Sequence, residues 1–198
     1  MRKGIWIGAV ALAAGMAAWS AAAGPVPSET AAAQLYPVKP AAVTLTKSAA
    51  VPAADRALLE QALKDVTYYA AVAVSPTEGI RGPSAAVAAN FHDIDNARRA
   101  AMRICGEKRA ANARPCEVVA EVRPAGWEKG RLQLSAAATE AFADKYRSVR
   151  RAKALAVSPS TGSWGIGKGG DAATRALADC ARLGAAGPLV DCIVVIAD

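Results

Sequence analysis

The residues with the widest chemical scope are four cysteines and one histidine. Thiols at Cys105, Cys116, Cys180 and Cys192 can form disulfides, ligate zinc or run redox chemistry. Structural zinc sites place cysteines two to four residues apart, and thioredoxin-type chemistry uses Cys-x-x-Cys. Neither spacing occurs here, because 10 residues separate Cys105 from Cys116 and 11 separate Cys180 from Cys192. His92 stands beside Asp93 and Asp95, where carboxylates can orient an imidazole base. As the sole histidine, in a polar loop, it reads as solvated. Ser75 and Ser158 are the eligible nucleophiles, but both precede proline in turns, where hydroxyls bond local backbone. No Gly-x-Ser-x-Gly elbow is present. The sequence therefore assigns no catalytic residue, no metal ligand and no cofactor.

Two further groupings invite a ligand. Residues 165–170 read Gly-Ile-Gly-Lys-Gly-Gly ahead of a helical stretch, matching the Gly-x-Gly-x-x-Gly that cradles pyrophosphate at a helix N-terminus. Only one strand follows, so dinucleotide binding is not expected. Lys168 remains a candidate anion contact, since helix N-termini favour negative charge. Arg147, Arg150, Arg151 and Lys153 crowd the end of a second helical stretch. They complement its dipole, and they also offer a surface to an anionic partner.

A repeat must position these residues. Ala-Val-Ser-Pro-Thr-Glu-Gly at 73–79 returns as Ala-Val-Ser-Pro-Ser-Thr-Gly at 156–162, 83 positions later. In each copy a helical run ends in a cysteine, at 96–105 and 172–180. A second cysteine then opens a β-branched run, at 116–119 and 192–195. The first copy carries about eight extra residues around 81–90. The order of features predicts a duplicated unit of strand, turn, strand, helix and strand. Asp95 and Asp171 are the expected helix caps, and Gly106 and Gly184 the stops. Four cysteines allow three connectivities; the repeat favours Cys105–Cys116 and Cys180–Cys192, one bridge per unit. Each would stabilise by roughly 2–4 kcal/mol.

Two helices are predicted outside the units. One, at 54–66, lines up Leu58, Leu59, Ala62, Leu63 and Val66. The other, at 135–149, is capped by Ser135, presents Ala138, Phe142, Tyr146 and Val149, and follows a strand at 131–134. The fold class is α+β: two duplicated units, each with one disulfide, joined by a bridging helix.

The chain begins with a different kind of segment. Arg2 and Lys3 precede an apolar run at 4–19, and three alanines at 21–23 offer a cleavage site, the order of a secretory signal. Residues 24–52 hold five prolines among mostly small residues and read as a flexible tether. The expected organisation is signal 1–23, tether 24–52, packing helix 53–67, unit 1 at 68–124, bridging strand and helix 125–150, and unit 2 at 151–198. Charge falls with the leader. The whole chain has 24 basic and 17 acidic residues, +7, while 53–198 has 20 and 16, or +4.

The Ser-Pro-Ser-Thr-Gly-Ser-Trp-Gly run at 158–165, the alanine-rich helix ending in Cys180 and Cys192 before a valine-rich strand carry a resemblance. They resemble a secreted bacterial family of domains of unknown function, with the pattern Ala-x-Ala-x-Ser-Pro-x-Thr-Gly-x-x-Gly, then helix and Cys…Cys. The second copy matches better: Glu78 replaces the threonine in the first, and its aromatic-glycine step is missing. The resemblance implies secreted α+β modules with a binding or envelope role, and brings no catalytic residues.

The expectation is an exported, periplasmic or secreted bacterial protein, with its signal cleaved near Ala23 and no stable membrane span afterwards. Its role is non-catalytic binding, with an unknown protein or an anionic envelope polymer as partner. An inhibitor or immunity-like protein for a secreted hydrolase is the alternative, and a small hydrolase ranks third. Nucleic acid is disfavoured, because aromatic residues are too few for a stacking platform.

Overall fold

Two antiparallel sheets organise residues 24–184 and 191–198, which this computed structural model describes; the expected signal at 1–23 lies outside the described residues. In chain order the elements are α1 (Ser28–Gln34), β1 (Ala41–Leu45), α2 (Ala53–Leu63), β2 (Ala70–Val74), β3 (Ala86–Ala88), α3 (Ile94–Lys108) and β4 (Glu117–Pro124). Then come α4 (Ala136–Ala141), which runs into a π-helical turn (Phe142–Tyr146), β5 (Lys153–Val157), β6 (Trp164–Lys168), α5 (Ala172–Leu183) and β7 (Ile193–Ala197). The first sheet has the order β1-β4-β2-β3 and the second β6-β5-β7. The fold is α+β, with one disulfide in each duplicated unit.

Both units place their first strand centrally, with its hairpin partner on one side and the strand after the helix on the other. Both also break register at the same place, between Val72 and Ala73 in β2 and between Leu155 and Ala156 in β5. Those positions are 83 residues apart, the spacing of the repeat. The duplication reaches further upstream than the Ser-Pro motif. Adding 83 to the bounds of α2 gives 136–146, the bounds of α4 with its π turn. The buried pair Leu59 and Leu63 then matches Phe142 and Tyr146. Val66 N–H bonds Leu63 O at 3.1 Å, and Val149 N–H bonds Tyr146 O at 3.1 Å. Helix, strand, strand, helix, strand is the repeated body, and the bridging helix is its opening element in unit 2.

Packing follows the alternation along the strands. In β5, Ala154 and Ala156 join α5 through Ala172, Ala176 and Cys180. Leu155 and Val157 face the other way, toward Leu134, Phe142, Tyr146 and Ile196. Small residues thus admit a close helix while large ones fill the opposite layer. In unit 1, α3 contributes Ala97, Ala100, Ala101 and Cys105 to a core shared with β2 and with Leu59 and Leu63. Leu58 is 50% exposed, so the α2 stripe is narrower than expected.

Residues 24–52 are folded, which corrects the expected tether. Val26 N–H bonds Val195 O at 3.0 Å, and Ala197 N–H bonds Val26 O at 3.1 Å. Strand β1 pairs with β4 along its whole length, from Ala41 opposite Pro124 to Leu45 opposite Ala120. Ala31 and Tyr36 are buried. The prolines punctuate short elements: Pro27 is the N-cap of α1 and Pro52 that of α2, positions that tolerate a missing N–H.

Three local expectations also shift. Asp93 caps α3 in place of Asp95, accepting from Asn96 N–H at 2.7 Å, while Asp95 pairs with Arg98 at 2.8 Å inside the first turn. The helix passes Gly106 and ends at Lys108, with Arg109 N–H closing on Cys105 O at 2.9 Å. Residues 131–134 form no strand. The donors there and just beyond turn to scattered acceptors, Leu132 N–H to Gln34 Oε1 and Ser135 N–H to His92 Nδ1. Asp171 and Gly184 do bound α5.

Candidate functional site

The two Ser-Pro turns are clamps. Gly79 N–H bonds Ser75 O and Gly162 N–H bonds Ser158 O, each at 2.9 Å, with both glycines at positive φ (68° and 75°). Both serines are fully buried. The Ser75 hydroxyl donates to Arg114 O at 2.8 Å, and the Ser158 hydroxyl to Asp191 Oδ1 at 2.5 Å. Each ties its turn to the residues just before the second cysteine of its unit. Burial pushes the Asp191 carboxyl up, but bonds from Ser158 and Ser160 outweigh it and hold the group below the ordinary carboxylate range. The disulfides close the same corner from the other side. Cys105–Cys116 and Cys180–Cys192 join helix to strand with the same Cα separation, 6.2 Å.

His92 is not solvated. It is only 3% exposed. Its Nε2 donates to Ser163 O at 2.9 Å, and its Nδ1 accepts from Ser135 N–H at 3.0 Å. The loop that carries it lies in unit 1, and both partners belong to unit 2 or its helix cap. With both nitrogens on backbone groups, the ring is a pin between the units. Burial lowers its pKa, against the Ser163 carbonyl and Asp93, which favour the charged form.

The glycine motif serves packing. Gly165 and Gly167 lie in β6 beneath α5. A Cβ at Gly165 would overlap the backbone nitrogen of Cys180, and one at Gly167 the carbonyl of Ala172. The helix therefore occupies the space that a phosphate cradle would need. Lys168 closes the strand and is exposed.

Four of the five expected cationic contacts are on the surface, and three come together. Arg150, Arg151 and Lys168, with Ser148 and Val149, line a hollow of about 460 Å³. Arg147 is exposed but does not line it. Lys153 is buried and engaged: its Nζ donates to Val149 O at 3.1 Å, lies 3.4 Å from Asp198 and sits 4.8 Å over the Tyr146 ring. Its place at the start of β5, under the chain terminus, takes it out of the site. Lys145, 5.9 Å over the Trp164 ring, is a neighbour that the sequence reading missed. The available signal was that 145–162 carries five Lys or Arg and no acid. The equivalent 62–79 carries Lys64 against Asp65 and Glu78.

Among the described residues, no carboxylate lies within ion-pair distance of Lys145, Arg147, Arg150, Arg151 or Lys168. Unit 1 treats the same place differently. There Lys64, Asp65, Val66 and Thr67 meet Val38, Lys39, Pro40 and Ala41, leaving about 220 Å³. Tyr68, which Arg151 replaces in the repeat, is buried and donates to Tyr36 O at 3.2 Å. No helix among the described residues is long and apolar enough to cross a membrane. No family model, curated protein or solved structure matches this chain.

Proposed function

We propose that the protein is an exported, non-catalytic binding module whose partner is an anionic polymer of the cell envelope, held by unit 2. The observation that carries this reading is the hollow of Arg150, Arg151 and Lys168, cationic and without a carboxylate partner among the described residues. Guanidinium pairs suit carboxylate and phosphate groups, because their fixed fork donates two parallel hydrogen bonds. Two disulfides support work in an oxidising compartment, and a leader at 1–23 would deliver the chain there. The buried, backbone-bonded His92 and the clamped Ser75 and Ser158 favour a structural over a catalytic role for each.

The test is retention of the mature protein, residues 24–198, on envelope material carrying acidic polymer. Retention at low salt and release as ionic strength rises are expected, since exposed charge pairs are screened within about 10 Å at 0.1 M salt. The double variant Arg150→Glu, Arg151→Glu should elute early. A variant retained as well as the parent removes the proposal. One stoichiometric enzyme partner in periplasmic extract would replace it with inhibition.

A further inference from the structure

The basic hollow is one end of a longer depression. It shares Lys168 with a second hollow of about 310 Å³ that also holds Lys145 and Arg182. The second shares Trp164 and Leu183 with a third, of about 470 Å³, between the units. Phe91 and Arg103 lie in that third hollow. The three run in order along β6, an edge strand of its sheet. A strand of five residues spans about 17 Å.

Side chains, rather than backbone, line the usable wall. Edge strands commonly recruit a peptide as an added strand. Here the Ile166 N–H is already bonded to Asp179 Oδ2 at 3.3 Å, while Asp179 Oδ1 accepts from Arg182 at 2.7 Å. That bond blunts the edge and spends the one acid of the middle hollow. What remains is a trough with cations at Arg150, Arg151, Lys168 and Lys145. Two half-buried aromatic rings, Trp164 and Phe91, stand toward the far end. Anionic lipid meets a plane, whereas these charges follow a concave line. An acidic peptide would have to displace Asp179. A sugar chain needs neither a plane nor a free strand edge, and its ring faces suit an indole.

We infer that the trough along β6 takes a linear acidic polysaccharide, with its anionic groups on the four cations and a sugar ring against Trp164. This rests on the anionic-polymer reading above and adds to it the length, direction and sugar character of the ligand. The probe is a size-defined series of oligogalacturonates, with polyphosphate as the sugar-free polyanion. The mature chain has two tryptophans, Trp127 and Trp164, so Trp127→Phe leaves Trp164 as the only indole.

In that background, Trp164 emission should shift on adding oligogalacturonate and shift less with polyphosphate, which reaches the indole only through Lys145. Affinity should rise with oligomer length until the chain spans about 17 Å and then level off. Arg150→Glu with Arg151→Glu should weaken every length about tenfold or more. Lys145→Gln should weaken only the longer members. Polymer retention that needs Arg150 and Arg151 but shows no length dependence and a silent Trp164 would overturn the trough and leave the anionic-polymer reading standing. Absence of any polymer retention would overturn both. Tighter binding to vesicles of anionic lipid, or to an acidic peptide, than to the longest oligogalacturonate would also overturn the trough.

Discussion

Unit 1 and unit 2 share a backbone plan and divide its uses. In unit 1 the loop after the opening helix is folded inward: Tyr68 and Tyr69 are buried, and the N-terminal segment meets the loop from outside. In unit 2 the equivalent loop carries Arg150 and Arg151 outward, and no segment among the described residues lines its hollow beyond the loop and Lys168. The same strand order, bulge and bridge thus support a closed copy and an open one. The difference lies in side chains at a few equivalent positions and in where β1 pairs. Duplication lets one copy carry stability while the other is free to vary its surface.

The largest test of that equivalence concerns the opening helices. If α2 and α4 with its π turn are the same element, Leu59→Ala and Phe142→Ala should both be costly, about 2–5 and 3–5 kcal/mol, because each leaves a cavity under its sheet. Leu58→Ala is the control, since that side chain is half exposed, and should change stability by less than about 0.5 kcal/mol. Urea unfolding of the three variants decides the matter. A Phe142→Ala variant as stable as the Leu58→Ala control would remove the helix of unit 2 from the repeat.

The disulfides come next. Their loops are nearly equal in length, with sequence separations of 11 and 12, so the chain-entropy account gives each about 2–4 kcal/mol. Replacing Cys105 and Cys116 by serine, or Cys180 and Cys192, should each cost an amount in that range in denaturant. Any inequality measures what β1 adds, because it pairs with β4 over five residues while β7 meets Val26 at one bridge. The larger loss is expected in unit 2.

Much of this plan was legible beforehand. The cysteines and Ser-Pro-x-x-Gly fixed the repeat because covalent and turn chemistry depends on local residue type. The α5 limits at Asp171 and Gly184 were visible for the same reason. What escaped depends on contacts distant in sequence. The partners of His92 lie 43 and 71 residues away, and its loop alone reads as polar. Residues 24–52 look like a tether because their partners, β4 and β7, are far down the chain. Lys153 falls in a run of cations that reads as exposed, although its strand register carries it under Asp198. In the candidate trough, Arg150, Arg151 and Lys168 were visible as charge, whereas Lys145 and Trp164 joined them only through the fold.

Helix-to-sheet spacing is a subtler contrast. The hairpin strand of unit 1 turns Ala86 and Ala88 inward, both buried, with Val87 exposed between them. Unit 2 has Gly165 and Gly167 at the corresponding inward positions. Gly165→Ala and Gly167→Ala should each destabilise by about 1–3 kcal/mol through overpacking against α5. Ala88→Gly should cost only about 0.5–1 kcal/mol, from backbone entropy. Thermal unfolding that ranks Ala88→Gly above Gly167→Ala would show that the two helices ride at equal heights.

The smallest effect at neutral pH is the one that breaks the symmetry, since unit 2 has no counterpart of His92. Burial, the dominant influence, disfavours the imidazolium, and the facing charges, Asp93 and Asp191, oppose it without prevailing. Folded His92 therefore titrates below its ordinary 6.5. Between that lowered value and 6.5 the unfolded chain binds more protons, so stability rises with pH through this window. His92 contributes fully above about 6.5 and loses its contribution as the pH falls below it. Protonation also puts a hydrogen on Nδ1, which can then no longer accept from Ser135 N–H. The carboxylates with lowered values, Glu78, Asp191 and Asp198, act only in more acid solution, below the ordinary 4.5 for Glu78 and 3.8 for the aspartates. Stability measured in urea from pH 7.5 to 5 should thus fall with acid in the parent and stay nearly flat in His92→Gln. A parent slope that survives the substitution would place the acid-sensitive contact elsewhere and leave the two units joined without a histidine pin.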